Sequence, residues 1–223
     1  MAIQRSRFIL RTASVSLVAL ALAACSALPR PPEQPTRYDL GLADAIPALT
    51  DASAPAARQP PLVLAEVQAP GLADGATAMS YRLAYANGQE LRNYQNARWS
   101  RPPAQLVEQR LRVRLGAQRP LLVGLDNVSA ADPQSAAAGL LRVEVDEFSQ
   151  VFDSAASSNG VVRLRASLTG FDKKGVNVLL GQQVFTVKVP ATSADAAGGA
   201  KALAAATDEA SVQLNRWLLS LRR

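Results

Sequence analysis

The chain has 223 residues, no histidine, one cysteine and a formal net charge of +6. Histidine is the commonest general base and metal ligand, and a lone cysteine cannot form an internal disulfide. The sequence contains neither a glycine-rich phosphate loop nor a nucleophile elbow. We therefore expect no enzymatic activity, no metal site and no cofactor.

The N-terminus begins with the first two parts of a signal peptide, a basic segment and then an uncharged run over residues 12–24. That run is too short for a transmembrane helix, which needs about 20 apolar residues. The basic residues are Arg5, Arg7 and Arg11. Removal of residues 1–24 would leave 199 residues with a net charge of +3, so we do not expect a nucleic-acid partner.

Residues 22–25 read Leu-Ala-Ala-Cys and resemble the lipobox of bacterial lipoproteins. We expect cleavage between Ala24 and Cys25, followed by acylation of Cys25, which would anchor the protein to a membrane. An ordinary secretory signal is the alternative. Ser26 occupies the position where an aspartate retains enteric lipoproteins at the inner membrane. Its identity predicts the periplasmic face of the outer membrane rather than the inner membrane.

The remainder of the chain divides into two predicted segments. Residues 25–60 would hold the lipidated cysteine, a tether rich in proline and alanine, and a loop. Residues 61–223 would form one domain of ordinary size. A short first strand is predicted at 36–41, within the first of these segments.

The early part of the domain predicts strands. The apolar run 62–67 is typical of a central strand, and the alternation over 79–85 is typical of a half-buried one. The dipeptide Asn87-Gly88 favours a type I′ hairpin turn, because both central residues of that turn need positive φ. Residues 89–93 would then return antiparallel to 79–85.

Two amphipathic helices are predicted, one on each side of a strand-rich region. The first would have Ser100 as its N-cap and would end at Gly116 or before Pro120. The second would extend from about residue 195 to residue 221. Its predicted buried stripe consists of Leu203, Ala206, Ala210, Leu214, Trp217 and Leu221.

Between the helices, apolar and polar residues alternate in three long stretches, which predict an antiparallel meander. Changes of parity predict β-bulges near Asp146-Glu147 and at Gly181. The predicted turns are Asn159-Gly160 and residues 172–175. Together, the elements predict an α+β fold, an antiparallel β-sheet with two main amphipathic helices packed on one face.

The order of these pieces resembles that of the ABC-type transport auxiliary lipoproteins, including the paraquat-inducible protein C group. The resemblance covers essentially the whole chain and is most specific over residues 79–115, especially at Arg98-Trp99. It extends from the lipobox and tether through LVLAEVQAPGLADGATAMSYR and ARWSRPPAQLVEQRLRVRL to the alanine-rich last helix. The insert at 42–60 departs from the family pattern.

The resemblance implies an auxiliary protein that accompanies an ABC permease and ATPase and an MCE-domain conduit protein. Such an apparatus moves phospholipids or other hydrophobic molecules across the envelope. The chain would act by docking to the conduit protein. A phospholipid and a second copy of the chain are further candidate partners. The alternatives are a lipid-binding carrier and a regulatory or assembly lipoprotein of another envelope machine.

A segment rich in arginine is the best candidate for contact with a partner or with lipid head groups. Its residues are Arg98, Trp99, Arg101, Arg110, Arg112 and Arg114. The competing interpretation is a solvated helix face, with the two tryptophans, Trp99 and Trp217, in the core. Charges on the polar sheet face, such as Arg163 and Arg165, would form cross-strand pairs or dock a partner.

Overall fold

The computed structural model describes residues 34–42, 59–72, 75–123 and 138–221. The chain divides into two compact units, Met1–Gln34 and Pro35–Arg223. All of the first unit except its last residue lies outside the described residues. The elements of the second are β1 (Thr36–Tyr38), β2 (Leu62–Leu64), β3 (Ala78–Leu83), α1 (Ala84–Asn87), β4 (Gly88–Trp99), α2 (Pro103–Gly116), β5 (Leu121–Val123), β6 (Gly139–Phe152), β7 (Ser158–Phe171), β8 (Asn177–Pro190) and α3 (Ala196–Ser220).

The described strands form one mixed sheet, and its longest pairings are antiparallel. β6, β7 and β8 make the predicted meander, and β3 pairs antiparallel with β4. Strand β6 is long enough to take two partners on its other side. β2 lies parallel to its first residues, and β3 lies parallel to its last. The prediction of an α+β fold is confirmed, and the parallel pairings are an addition to the predicted antiparallel sheet.

Both long helices pack on one face of this sheet. The buried residues of β7, such as Leu164 and Leu168, alternate with exposed or half-exposed polar ones, so one face of the strand is apolar. Leu203 and Leu214 of α3 are fully buried in the same cluster, as is Leu111 of α2. Burial of one such side chain stabilises the fold by about 1.5–3 kcal/mol. The predicted apolar stripe of the last helix and the core position of Trp217 are confirmed.

The folded unit begins before the predicted boundary at residue 61. Strand β1 pairs in parallel with the end of β4, from Thr36↔Ala97 to Tyr38↔Trp99. Leu40, two residues later, is buried in the core. Strand β1 is therefore an edge strand of the sheet.

Two predicted turns are wrong. Asn87-Gly88 does not form a type I′ turn, because Asn87 has negative φ and Gly88 has φ −68°. The four-residue helix α1 connects β3 to β4 instead. Asn159 and Gly160 lie inside β7, and the connection before it is the 153–157 segment, where Asp153 donates its N–H to the Ser157 carbonyl. The predicted turn at 172–175 is confirmed, with Gly175 at φ +77°.

Both predicted bulges are confirmed by shifts of strand register. One shift lies between Val145 and Glu147 in the β6–β7 pairing. The other lies where Leu168 pairs with Gly181 but Thr169 pairs with Leu179. At the second position a side chain would crowd the end of α3, because a Cβ on Gly181 would lie 2.9 Å from the Leu221 methyl groups, just beyond the helix, and 3.2 Å from the Trp217 ring.

The first long helix has a different N-terminus from the one predicted. Its N-cap is Pro102, which provides no side-chain cap. Ser100 instead ties β1 to the end of β4, because its backbone N–H donates to the Tyr38 carbonyl at 2.7 Å and its hydroxyl donates to Asp39. The predicted helix end at Gly116 is confirmed.

Candidate functional site

The arginines predicted to form one basic face are divided by the fold into different environments. Arg110 is buried, with 4% of its surface exposed, so it does not belong to a solvated face. Its guanidinium donates to the backbone carbonyls of Leu40 and Gly41 and lies 3.5 Å from Asp208 of α3. Arg110 therefore connects α2 to α3 and to residues 40 and 41, which follow β1. The expectation that Arg110 is a surface contact is corrected.

Arg114 shares the same carboxylate. Its guanidinium lies 3.0 Å from Asp208, and the side chain is about one-fifth exposed. One acid on α3 thus pairs with two cations of α2, and these contacts connect the two helices. Arg119, just beyond α2, is also buried and donates to Asn215 of α3 at 2.7 Å.

Trp99 and Arg98 are parts of β4 rather than of the helix. Trp99 is 1% exposed and stacks edge-to-face on Phe148 at a ring-centroid distance of 5.3 Å. It is a core residue, and it cannot serve as an exposed anchor in this fold. Arg98 is half-buried and donates to the backbone carbonyls of Tyr94 and Ala97.

Two of the predicted residues, Arg101 and Arg112, remain at the surface, and both line a groove beside α2. The groove has a volume of about 520 Å³, and its other wall is the chain that continues β2. Arg112 pairs with Glu108, whose second carboxylate oxygen accepts the backbone N–H of Val67 at 2.9 Å. The residues that line this groove are Leu64, Glu66, Arg101, Gln105, Glu108, Gln109 and Arg112.

A second concavity of about 420 Å³ adjoins the first and shares Glu66 and Gln105 with it. Its walls are residues 66–70, 72, 75 and 76 on one side and residues 102–105 at the start of α2 on the other, and they are less charged. We call the two concavities together the α2 groove. Sequence reasoning missed Glu66 and Gln105, because nothing in the local pattern shows that residues 66 and 105 face each other across a groove.

The polar face of the sheet carries cross-strand ion pairs, which confirms the pairing interpretation for Arg165. Arg165 lies 2.9 Å from Asp146 and 3.6 Å from Glu144. Arg163 lies 4.0 Å from Asp146.

Tyr94 and Asp195 both have displaced pKa values, and both groups serve the fold. Burial, with the nearby Tyr81, raises the pKa of Tyr94 to about 12. The Tyr94 hydroxyl donates to Gln150 at 2.8 Å. The backbone N–H of Gly198 lowers the pKa of Asp195, which caps the N-terminus of α3. Neither group lines the α2 groove.

The predicted lipidation and sorting residues, Ala24, Cys25 and Ser26, lie outside the described residues. In the part of the chain that the structure describes, no helix is long and apolar enough to cross a bilayer. The prediction of a lipid anchor at Cys25 stays a prediction.

Comparisons with known proteins place the chain in a recognisable group. A family model described as "ABC-type transport auxiliary lipoprotein component" matches residues 41–215. No curated protein matches the sequence. Among solved structures, a Xanthomonas campestris protein of the DUF330 family is similar, with a TM-score of 0.57 and 18% identity over 86% of this chain and 90% of that one. An uncharacterised protein has a TM-score of 0.55 and 16% identity over 83% of this chain and 99% of that one. At such identities the structures support the fold alone.

Proposed function

Because the chain belongs to the family of ABC-type transport auxiliary lipoprotein components, we propose that it serves an ABC transporter as a membrane-anchored docking protein. The family is one of transport accessory components rather than of enzymes. The activity of the domain would therefore be the binding of a partner.

The α2 groove is the observation that carries this proposal. It combines a recessed apolar floor at Leu64 with a rim of charged and amide side chains. Partner interfaces typically have such a desolvated centre and a polar rim. The rim is electrically balanced, since Arg101 and Arg112 face Glu66 and Glu108. A partner would thus be recognised by a pattern of both charges rather than by a single basic patch.

The groove is also held on a rigid framework. Arg110 and Arg114 fasten α2 to Asp208 of α3, and the Glu108 carboxylate fastens α2 to the β2 continuation. A preorganised surface loses little conformational entropy when a partner binds. We propose that this rigidity lets a mobile tethered domain hold its partner firmly.

The finer parts of the function follow from the family resemblance. We propose that acyl chains on Cys25 anchor the protein at the periplasmic face of the outer membrane. The proposed partner is an MCE-domain conduit protein that works with the ABC permease and ATPase, and the cargo would be a phospholipid or another hydrophobic molecule. Tethering would raise the effective concentration of the domain near a partner at the same membrane.

A lipid carrier and a regulatory lipoprotein remain alternatives. A carrier should enclose a mostly apolar pocket. The first concavity is lined mainly by charged and amide side chains, and the second, more apolar one lies beside the first turn of α2 rather than between the sheet and the helices. The space between the sheet and the helices is filled by side chains such as Leu164 and Leu214. We therefore prefer docking to carriage.

The proposal is tested by filling the groove. Gln105 is exposed and belongs to both concavities, so Gln105→Trp should obstruct them without disturbing the core. The acylated protein is solubilised in neutral detergent, and co-purifying permease, ATPase and MCE-domain proteins are quantified by mass spectrometry. We expect at least about a tenfold loss of partner, because a misplaced bulky group disrupts a packed interface.

The matched control is Gln183→Trp, at an exposed glutamine of β8 away from the groove. It should retain its partners. If both folded variants capture the transporter components as well as the unaltered protein does, the α2 groove is not the docking surface.

A further inference from the structure

The polar face of the sheet contains a cavity that the docking proposal does not use. It has a volume of about 550 Å³ and lies across four neighbouring strands, β3, β6, β7 and β8. Ligand sites commonly have volumes of about 300–1,000 Å³. The lining residues, which define what we call the sheet-face cavity, are Arg82, Asp146, Glu147, Val151, Val161, Arg163, Arg165, Thr186 and Lys188.

The acids of the cavity come only from β6 and are already neutralised. The bulge between Val145 and Glu147 allows two consecutive acids, Asp146 and Glu147, to line the same cavity. Glu147 accepts two hydrogen bonds from Arg82 of β3, at 3.2 and 3.3 Å. Asp146 accepts one from Arg165 of β7 at 2.9 Å. Little negative charge remains for the other cations of the cavity.

The β8 side of the cavity is consequently positive. Lys188 is exposed and has no ion pair within the described ranges. Arg163 is half-exposed and reaches Asp146 only at 4.0 Å. Arg163 is paired in register with Thr186, so Lys188 occupies the diagonal position on the next strand. Like charges at such neighbouring positions repel one another, and a bound anion between them would remove that repulsion.

The donors at this side match one chemical class. A guanidinium, an ammonium and a hydroxyl, from Arg163, Lys188 and Thr186, are the groups that proteins use to hold phosphate oxygens. Val151 and Val161 line the same cavity and offer an apolar surface beside the donors. That surface suits the carbon skeleton of a phosphate ester better than it suits a fully hydrated ion.

We propose that the sheet-face cavity binds a phosphate ester group through Arg163, Thr186 and Lys188. This binding activity goes beyond docking and does not rest on it, because none of these residues belongs to the α2 groove. The ester could be the head group of a phospholipid or a small free phosphate ester. Both present phosphate oxygens to the three donors, as a diester in a phospholipid such as phosphatidylglycerol and as a monoester in a small ester such as glycerol 3-phosphate.

The test is calorimetric titration of the full acylated chain in neutral-detergent micelles at low ionic strength. The probes are inorganic phosphate, glycerol 3-phosphate and a short-chain, water-soluble phosphatidylglycerol. Affinity for both esters should fall at least about tenfold in Arg163→Gln/Lys188→Gln, because two charge-assisted hydrogen bonds are lost. Both side chains are exposed, so circular dichroism should show an intact fold.

The control is Arg142→Gln/Lys174→Gln, which removes the same charge from exposed positions outside the cavity. It should bind as the unaltered protein does. Tighter binding of the phospholipid than of glycerol 3-phosphate would identify a lipid head group as the ligand, and equal binding would identify free esters. The proposal is overturned if no ester binds, if inorganic phosphate binds as tightly as the esters, or if the control loses affinity equally.

Discussion

Gly160 is the position at which a single methyl group should reveal how closely α3 approaches the sheet. A Cβ placed on Gly160 would lie 2.6 Å from the carbonyl carbon of Ala202 and 2.6 Å from the amide nitrogen of Leu203. Carbon atoms in proteins normally approach one another to about 3.5–4.0 Å. The atoms in the way are backbone atoms of a long helix, so a rotamer change cannot relieve the overlap. The substitution Gly160→Ala would therefore displace α3 by roughly 1 Å.

The expected loss of unfolding free energy is about 1–3 kcal/mol, the usual penalty for overpacking a core. For a chain of this size, a loss of 1 kcal/mol lowers Tm by about 2–4 °C. The control is Gly88→Ala, because Gly88 has φ −68° and a Cβ there would make an ordinary contact of 3.7 Å with Ala84. It should be neutral or stabilising by up to about 1 kcal/mol. Urea unfolding followed by circular dichroism measures both variants. Equal midpoints for the two would refute the close approach of α3 to β7.

Four further substitutions test other parts of the molecule. Asp208→Asn should lower the unfolding free energy by about 2–3 kcal/mol, because it leaves the buried Arg110 without a carboxylate. Arg114→Gln should lower the unfolding free energy by less than about 1 kcal/mol, since its ion pair with Asp208 is partly solvated. A denaturant titration in which Arg114→Gln lost more unfolding free energy than Asp208→Asn would contradict us. The pKa of Tyr94, raised to about 12, means that the folded state holds the proton more tightly than the unfolded state. Stability should therefore be full below pH 10 and fall as the pH rises towards 12, a trend that Tyr94→Phe should reduce in alkaline melts. Cys25→Ser should abolish acylation, because serine cannot form a thioether, and incorporation of a clickable fatty acid by the variant would contradict the lipid anchor.

Local patterns in the sequence determined much of the secondary structure. Alternation with period two identified the meander, and the apolar stripe identified α3, because each depends only on which face of an element is buried. The turn at 172–175 was also predictable from a local signal, since Gly175 supplies the positive φ that the turn needs. The dipeptides Asn87-Gly88 and Asn159-Gly160 carry the same local signal, yet neither forms a turn. At residue 160 the glycine is required by a helix that passes over the strand more than 40 residues later in the chain.

The candidate site was decided by the tertiary structure. The arginine-rich stretch is visible in the sequence, but the sequence does not show that Asp208, about 100 residues away, faces Arg110 and Arg114. Because Asp208 pairs with both arginines, part of the predicted basic surface is instead a contact between α2 and α3. Likewise, the α2 groove exists because β2 lies parallel to β6 and its continuation passes beside α2. A residue's own periodicity reports whether it is buried, whereas its partner depends on long-range packing, and for this protein the partners decide which charges remain free to bind.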